Sequence, residues 1–149
     1  MGAWGTGNFE NDTVLDWVCG LEPPKTKMFG LKKTNPFKYC FQPVNEVLNA
    51  EGWIDSEDCM CTLASGECIA ALRGSPLEDL PEEVVDWVGA VRGLEVSTEE
   101  MQRLIEAVKR VRNAEKSELR CLWAETQDDG EPDPEWIAAV DDLIQRLGG

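Results

Sequence analysis

Residues 55–74 read DSEDCMCTLASGECIAALRG. Asp55 and Ser56 are residue types that cap helix N-termini, and Gly74 is a C-terminal stop. Between them Cys59, Met60, Cys61, Leu63, Ala64, Cys68, Ile69, Ala71 and Leu72 leave almost no polar face. A helix that is apolar nearly all round must be covered on every side. The stretch therefore predicts a buried central helix ending near Arg73, and the rest of the chain must supply the helices that wrap it. One residue breaks the pattern. Glu67 is a carboxylate in the middle of this helix. A buried carboxylate has to be paired or shifted in pKa, which makes Glu67 a candidate binding residue. Pairing with an Arg or with backbone donors is the plainer expectation.

The segments on either side carry their own helix punctuation. Asn11 and Asp12 precede an apolar stripe of Val14, Leu15, Trp17, Val18 and Leu21, and Gly20 follows the helix expected over Thr13 to Cys19. A second helix is expected to start near Pro36 or Pro43 and to end near Ala50, since proline suits a first turn and breaks an interior. Pro81 opens a short helix through Val91. Ser97 and Glu100 form the capping-box pattern before Met101, Leu104, Ile105, Val108 and Val111. Ser117 opens a helix through Glu125, and Asp133-Pro134 opens a last one with Trp136, Ile137, Val140, Leu143, Ile144 and Leu147 on one face. No stretch alternates as a strand does, and no internal repeat is present. The expectation is an all-α fold: a single compact irregular helical domain over residues 1–149 with six to seven helices. A basic loop is expected at 22–35, carrying Lys25, Lys27, Lys32 and Lys33, and an acidic linker at 128–133.

Composition narrows the function classes. The chain has 149 residues and a net charge of −15. Residues 1–50 are neutral overall, so the whole excess of acid falls on residues 51–149. Such a surface repels nucleic acid phosphates and suits a basic protein partner, or solubility alone. There is no His. Serine-histidine triads, cysteine-histidine pairs and imidazole zinc sites are thereby excluded. No apolar run is long enough for a membrane span, and the N-terminal residues lack a signal-peptide pattern, so a cytoplasmic setting is expected. In that setting the six cysteines are expected to be reduced core filler. Cys59 and Cys61 point different ways on a helix, and Cys61 and Cys68 stand two turns apart, which does not make a zinc knuckle. The six Trp, spread along the chain, are expected to bind one core together.

Three further groups of residues invite a functional reading. Glu10, Asp12 and Asp16 can bind a cation or share acid–base work, although Asp12 is also explained by helix capping. Gly2, Gly5 and Gly7 can bring backbone donors to an anion, but no strand precedes them, so a tight loop inserting Trp4 and Phe9 into the core is the better reading. The lysines from Lys25 to Lys38, interleaved with Met28, Phe29 and Phe37, have the pattern of a nucleic-acid module, which the acidic remainder opposes.

The opening stretch MGAWGTGNFENDTVLDWV resembles domain-of-unknown-function family 4259. The resemblance lies in Gly2-Ala3-Trp4-Gly5, Phe9-Glu10-Asn11-Asp12 and Leu15-Asp16-Trp17. It continues through Gly66-Glu67-Cys68-Ile69-Ala70-Ala71-Leu72-Arg73-Gly74, Leu80-Pro81-Glu82 and Ser117-Glu118-Leu119-Arg120-Cys121-Leu122-Trp123. Residues 25–38 look like an insertion or a divergent loop, and Cys61, Gly66 and Cys68 stand where the family pattern tends to Ala or aliphatic residues. The resemblance implies a small helical domain of bacterial type and no particular activity, substrate or cofactor. It places Glu67 and the Glu10–Asp16 segment at recurring motif positions.

The functional expectation is a protein-interaction module that binds a basic partner, as an immunity or antitoxin-like protein does, with no nucleic acid, no membrane and no cofactor or metal. The alternative is a carboxylate-based ligand or metal binder, or an enzyme, using Glu10, Asp16 and Glu67.

Overall fold

The structure is a computed structural model that describes residues 5–21 and 35–149. The expected basic loop lies outside the described residues except for Asn35, and so does Trp4. Among the described residues there are seven helices: α1 (Asp12–Val18), α2 (Lys38–Asn49), α3 (Ser56–Leu72), α4 (Glu82–Val91), α5 (Thr98–Asn113), α6 (Glu118–Glu125) and α7 (Pro134–Arg146). The fold is all-α. An isolated parallel bridge joins Ile54 to Ser117.

The central helix is α3. Every residue from Cys59 to Ala71 is buried, and α3 packs against each of the other six helices. Its apolar sequence forces this arrangement, because no face can be left in water. The others are amphipathic and turn one stripe inward: Val84, Trp87 and Val91 on α4, Met101, Leu104, Val108 and Val111 on α5, Trp136, Val140 and Leu143 on α7. A core cluster runs from Phe9 to Leu147.

Caps hold the helix ends. Asp55 accepts from Glu57 N at 2.7 Å, Ser97 from Glu100 N at 3.1 Å, and Asp133 from Glu135 N at 2.9 Å. At α1 the structure corrects the sequence reading. Asn11 is the cap, with extended backbone and its Oδ1 accepting from Val14 N at 2.8 Å. Asp12 is instead the first helical residue, exposed, where the helix dipole favours an acid. Leu15 turns to solvent, because Val14 and Val18 take the inward face.

Pro43 lies inside α2, which starts at Lys38. A proline there removes one backbone bond and costs ~3 kcal/mol. The continuous helix buries Cys40, Phe41, Val44 and Val47 on one stripe. Each large apolar side chain contributes ~1.5–3 kcal/mol, so their packing outweighs the proline. Arg110 of α5 then closes the far end of α2, donating to the carbonyls of Val47 at 2.6 Å, Leu48 at 3.0 Å and Ala50 at 2.6 Å.

Two expectations about side chains need correcting. Trp87 and Trp136 are core residues, but Trp17 and Trp123 are half-buried and Trp53 is 55% exposed. Cys40, Cys59, Cys61 and Cys68 are buried free thiols, whereas Cys19 is exposed and Cys121 half-buried. Trp53 lies in a connecting segment, Cys19 caps the end of α1, and Cys121 and Trp123 lie on α6, which buries only Leu119.

Candidate functional site

The loop before α1 is folded around its own acid. Gly7 N donates to Glu10 Oε1 at 3.0 Å, and Glu10 N donates to Gly7 O at 3.0 Å. A Cβ on Gly5 or Gly7 would run into the Glu10 carboxylate. The glycines thus make room for a carboxylate of the chain itself. From the same loop, Asn8 Nδ2 donates to Glu67 Oε2 at 2.7 Å.

Glu67 is fully buried and paired. Arg146, at the end of α7, reaches it with both terminal nitrogens, Nη1 to Oε1 at 2.7 Å and Nη2 to Oε2 at 2.9 Å. Arg146 also donates to Ser75 O at 3.1 Å and to Asp142 Oδ2 at 2.8 Å. Its pKa is raised, chiefly by the hydrogen bonds to Glu67, against the opposing effect of burial. The pair ties the N-terminal loop, α3 and α7 together. Sequence reading anticipated an arginine for Glu67 but neither Arg146 nor Asn8, which stand 79 and 59 residues away in the chain. Asn8 Oδ1 is buried without a partner among the described residues. It borders a small cavity of about 20 Å³ under Trp123 and Trp136, room for a single water and for no organic ligand.

A second, larger depression opens where α1, α2 and α3 meet, about 720 Å³ in volume. Asp16 and Trp17 come from α1, Glu46 from α2, and Glu57, Asp58 and Cys61 from α3. The described residues that line it include no Lys or Arg. Asp58 has its pKa raised, first by burial and then by the charges of Asp55, Glu46 and Glu57. Cys61 is pushed up to about 12 by burial and by Asp58 and Glu57, so its thiol keeps its proton and is not a nucleophile at neutral pH. The Trp17 ring stacks on Tyr39 with centroids 5.1 Å apart, and Tyr39 OH donates to Trp17 O at 2.6 Å. The groove thus has a fixed aromatic wall and mutually repelling carboxylates. Such a concavity concentrates negative potential and attracts a cationic group.

The four sequence candidates end in different settings. Glu67 faces Asn8 and Arg146, Glu10 faces Gly7, Asp12 is exposed at the start of α1, and Asp16 lines the groove. Among the described residues no group of three or more Cys, Asp or Glu could hold a metal ion. The sequence reading missed Glu46, Glu57 and Asp58. A partial signal was present: Gln42 and Glu46, and Asp58 and Cys61, are spaced to share helix faces. The convergence of three helices is not written in any local spacing. No helix of the described residues is long and apolar enough to cross a membrane.

No curated protein and no solved structure matches the chain. A family model described as "Domain of unknown function (DUF4259)" matches residues 2–138. That match takes in the N-terminal loop, the groove and the Glu67 helix, and the chain belongs to the DUF4259 family.

Proposed function

We propose that this protein is an interaction module that binds a basic protein partner through the groove between α1, α2 and α3, in the manner of an immunity or antitoxin-like inhibitor. One observation carries the reading: carboxylates from three helices, Asp16, Glu46, Glu57 and Asp58, share a concave site whose described lining has no cation of its own. The Asp58 pKa is raised first by burial and then by neighbouring carboxylates, and a lysine or arginine entering the groove relieves that second, repulsive part. Strong acidity over residues 51–149 steers a cationic partner toward the molecule and speeds encounter. A cytoplasmic setting, with the thiols reduced, is part of the proposal. A catalytic or metal-binding use of Glu10, Asp16 and Glu67 has less support, because Glu67 is already neutralised by Arg146 and Glu10 is held by its own loop.

An octalysine peptide serves as the probe. Calorimetric titration is expected to show saturable binding. The variants Glu46→Lys and Glu57→Lys, both at exposed positions, are expected to weaken it by about tenfold each, the size of a close charge pair turned repulsive. Unchanged affinity in both variants would refute the groove as the binding site.

A further inference from the structure

Trp53 is unusual among the large apolar residues described here. More than half of it is exposed, at 55%, yet its ring is not free to swing. The indole Nε1 donates to Glu118 Oε2 at 2.9 Å, and the other oxygen of Glu118 accepts from Ser56 N at 2.9 Å. These bonds hold the Glu118 carboxyl below its usual range, so the anchor stays charged at neutral pH. The segment under the ring is fixed as well: Ile54 N donates to Lys116 O at 2.8 Å and Glu118 N to Ile54 O at 3.0 Å.

The surface around the ring continues along α6. Cys121 and Leu122 follow Glu118 by three and four residues, so they share its helix face, and both are half-buried. Leu122 is not among the side chains packed against the core cluster. Glu51 and Asp55, both exposed, flank the ring in the chain; exposed Lys116, bonded to Ile54 through its backbone, is the one cation beside it among the described residues, so acids outnumber bases around the ring. An apolar centre with a charged rim is the anatomy of a docking surface, and tryptophan is enriched where binding energy concentrates. A ring already fixed in place loses little entropy on docking.

We infer that Trp53 is the anchor of a second contact with the basic partner, and that it receives an arginine side chain of that partner. The inference rests on the reading of the groove for the sign of the partner's charge. A second copy of this chain is a poor occupant, because two copies that each carry a net charge of −15 repel. Among cations, a guanidinium both stacks on an indole face and pairs with the flanking carboxylates, which an ammonium does less well.

The test is a ¹H–¹⁵N titration of the full chain with octaarginine and, separately, octalysine, the Trp53 indole signal being assigned from its loss in Trp53→Phe. The expected result is a saturable shift of the Trp53 indole and of the Leu122 amide with octaarginine, at several-fold lower concentration than with octalysine. Trp53→Ala, checked for an unchanged helical spectrum, is expected to weaken octaarginine binding about fivefold or more, the loss that sets an energetically significant contact residue apart from its neighbours. Trp53→Phe, which keeps a stacking face, is expected to retain part of the affinity. If the Glu57 and Asp58 amides shift and the Trp53 indole does not, the Trp53 inference is wrong and the groove stands. If neither region responds, both are wrong. Equal responses of the indole to the two peptides would overturn the arginine preference.

Discussion

Glu67 shows how one residue's chemistry constrains the rest of the chain. A carboxylate with no exposure requires a partner, and Arg146 gives it a bidentate one while Asn8 adds a third hydrogen bond. Removing one side leaves a buried charge alone. Arg146→Ala is therefore expected to cost ~3–5 kcal/mol in urea unfolding. The paired change Glu67→Leu with Arg146→Met, which removes both charges, should cost much less. A double variant as damaged as the single one would show that the pair does more than neutralise itself. Asp58 gives a prediction of the opposite kind. Its folded-state pKa is raised, so between the ordinary and the raised value the folded protein holds a proton that the unfolded chain has already released. The ionised form is thus a source of instability, complete once the pH is above the raised value and absent below the ordinary one. Asp58→Asn is expected to raise the urea midpoint at neutral pH, with the gain shrinking as the pH falls through the carboxylate range. A gain that grows in acid would contradict this.

At the scale of elements, α3 was the most legible part of the chain. Its apolar circumference predicted a central buried helix, and the other six helices do wrap it. The capping residues Asp55, Ser97, Ser117 and Asp133 were readable for the same reason: each is a local pattern with a local cause. The start of α2 was not readable, because Pro43 argues against a helix interior and only packing on α3 and α5 overrules it. The cap of α1 was ambiguous because Asn11 and Asp12 are equally suitable types, and the entry angle of the loop chooses between them. The groove was largely illegible. Of its acids only Asp16 stood out in the sequence, since Glu46, Glu57 and Asp58 are ordinary exposed-face residues until three helices meet. Arg110 is another element-level device hidden from sequence, as it finds the α2 carbonyls some 60 residues away. Arg110→Ala is expected to destabilise the fold by ~2–3 kcal/mol, the loss of charge-assisted bonds to otherwise unpaired helix-end carbonyls. Faster hydrogen exchange confined to the last turn of α2 would accompany it, and an unchanged midpoint would mean that those carbonyls are equally well served by water.

For the whole molecule, charge is the feature that composition fixes and geometry puts to use. A net charge of −15 on 149 residues opposes compaction, so moderate salt is expected to raise the unfolding midpoint by screening self-repulsion. The same salt should weaken any association with a cationic partner. Both responses follow from the net charge alone, so the location of binding is what separates a site from a general acidic surface. The most direct measurement is the backbone amide shift map of the wild-type chain titrated with octalysine at about 50 and about 300 mM salt, ionic strengths that bracket the range where screening becomes strong. The groove reading expects the shifts to centre on Asp16, Glu46, Glu57 and Asp58, with affinity falling by about an order of magnitude at the higher salt. Shifts scattered evenly over the acids of residues 51–149, or none at all, would contradict it.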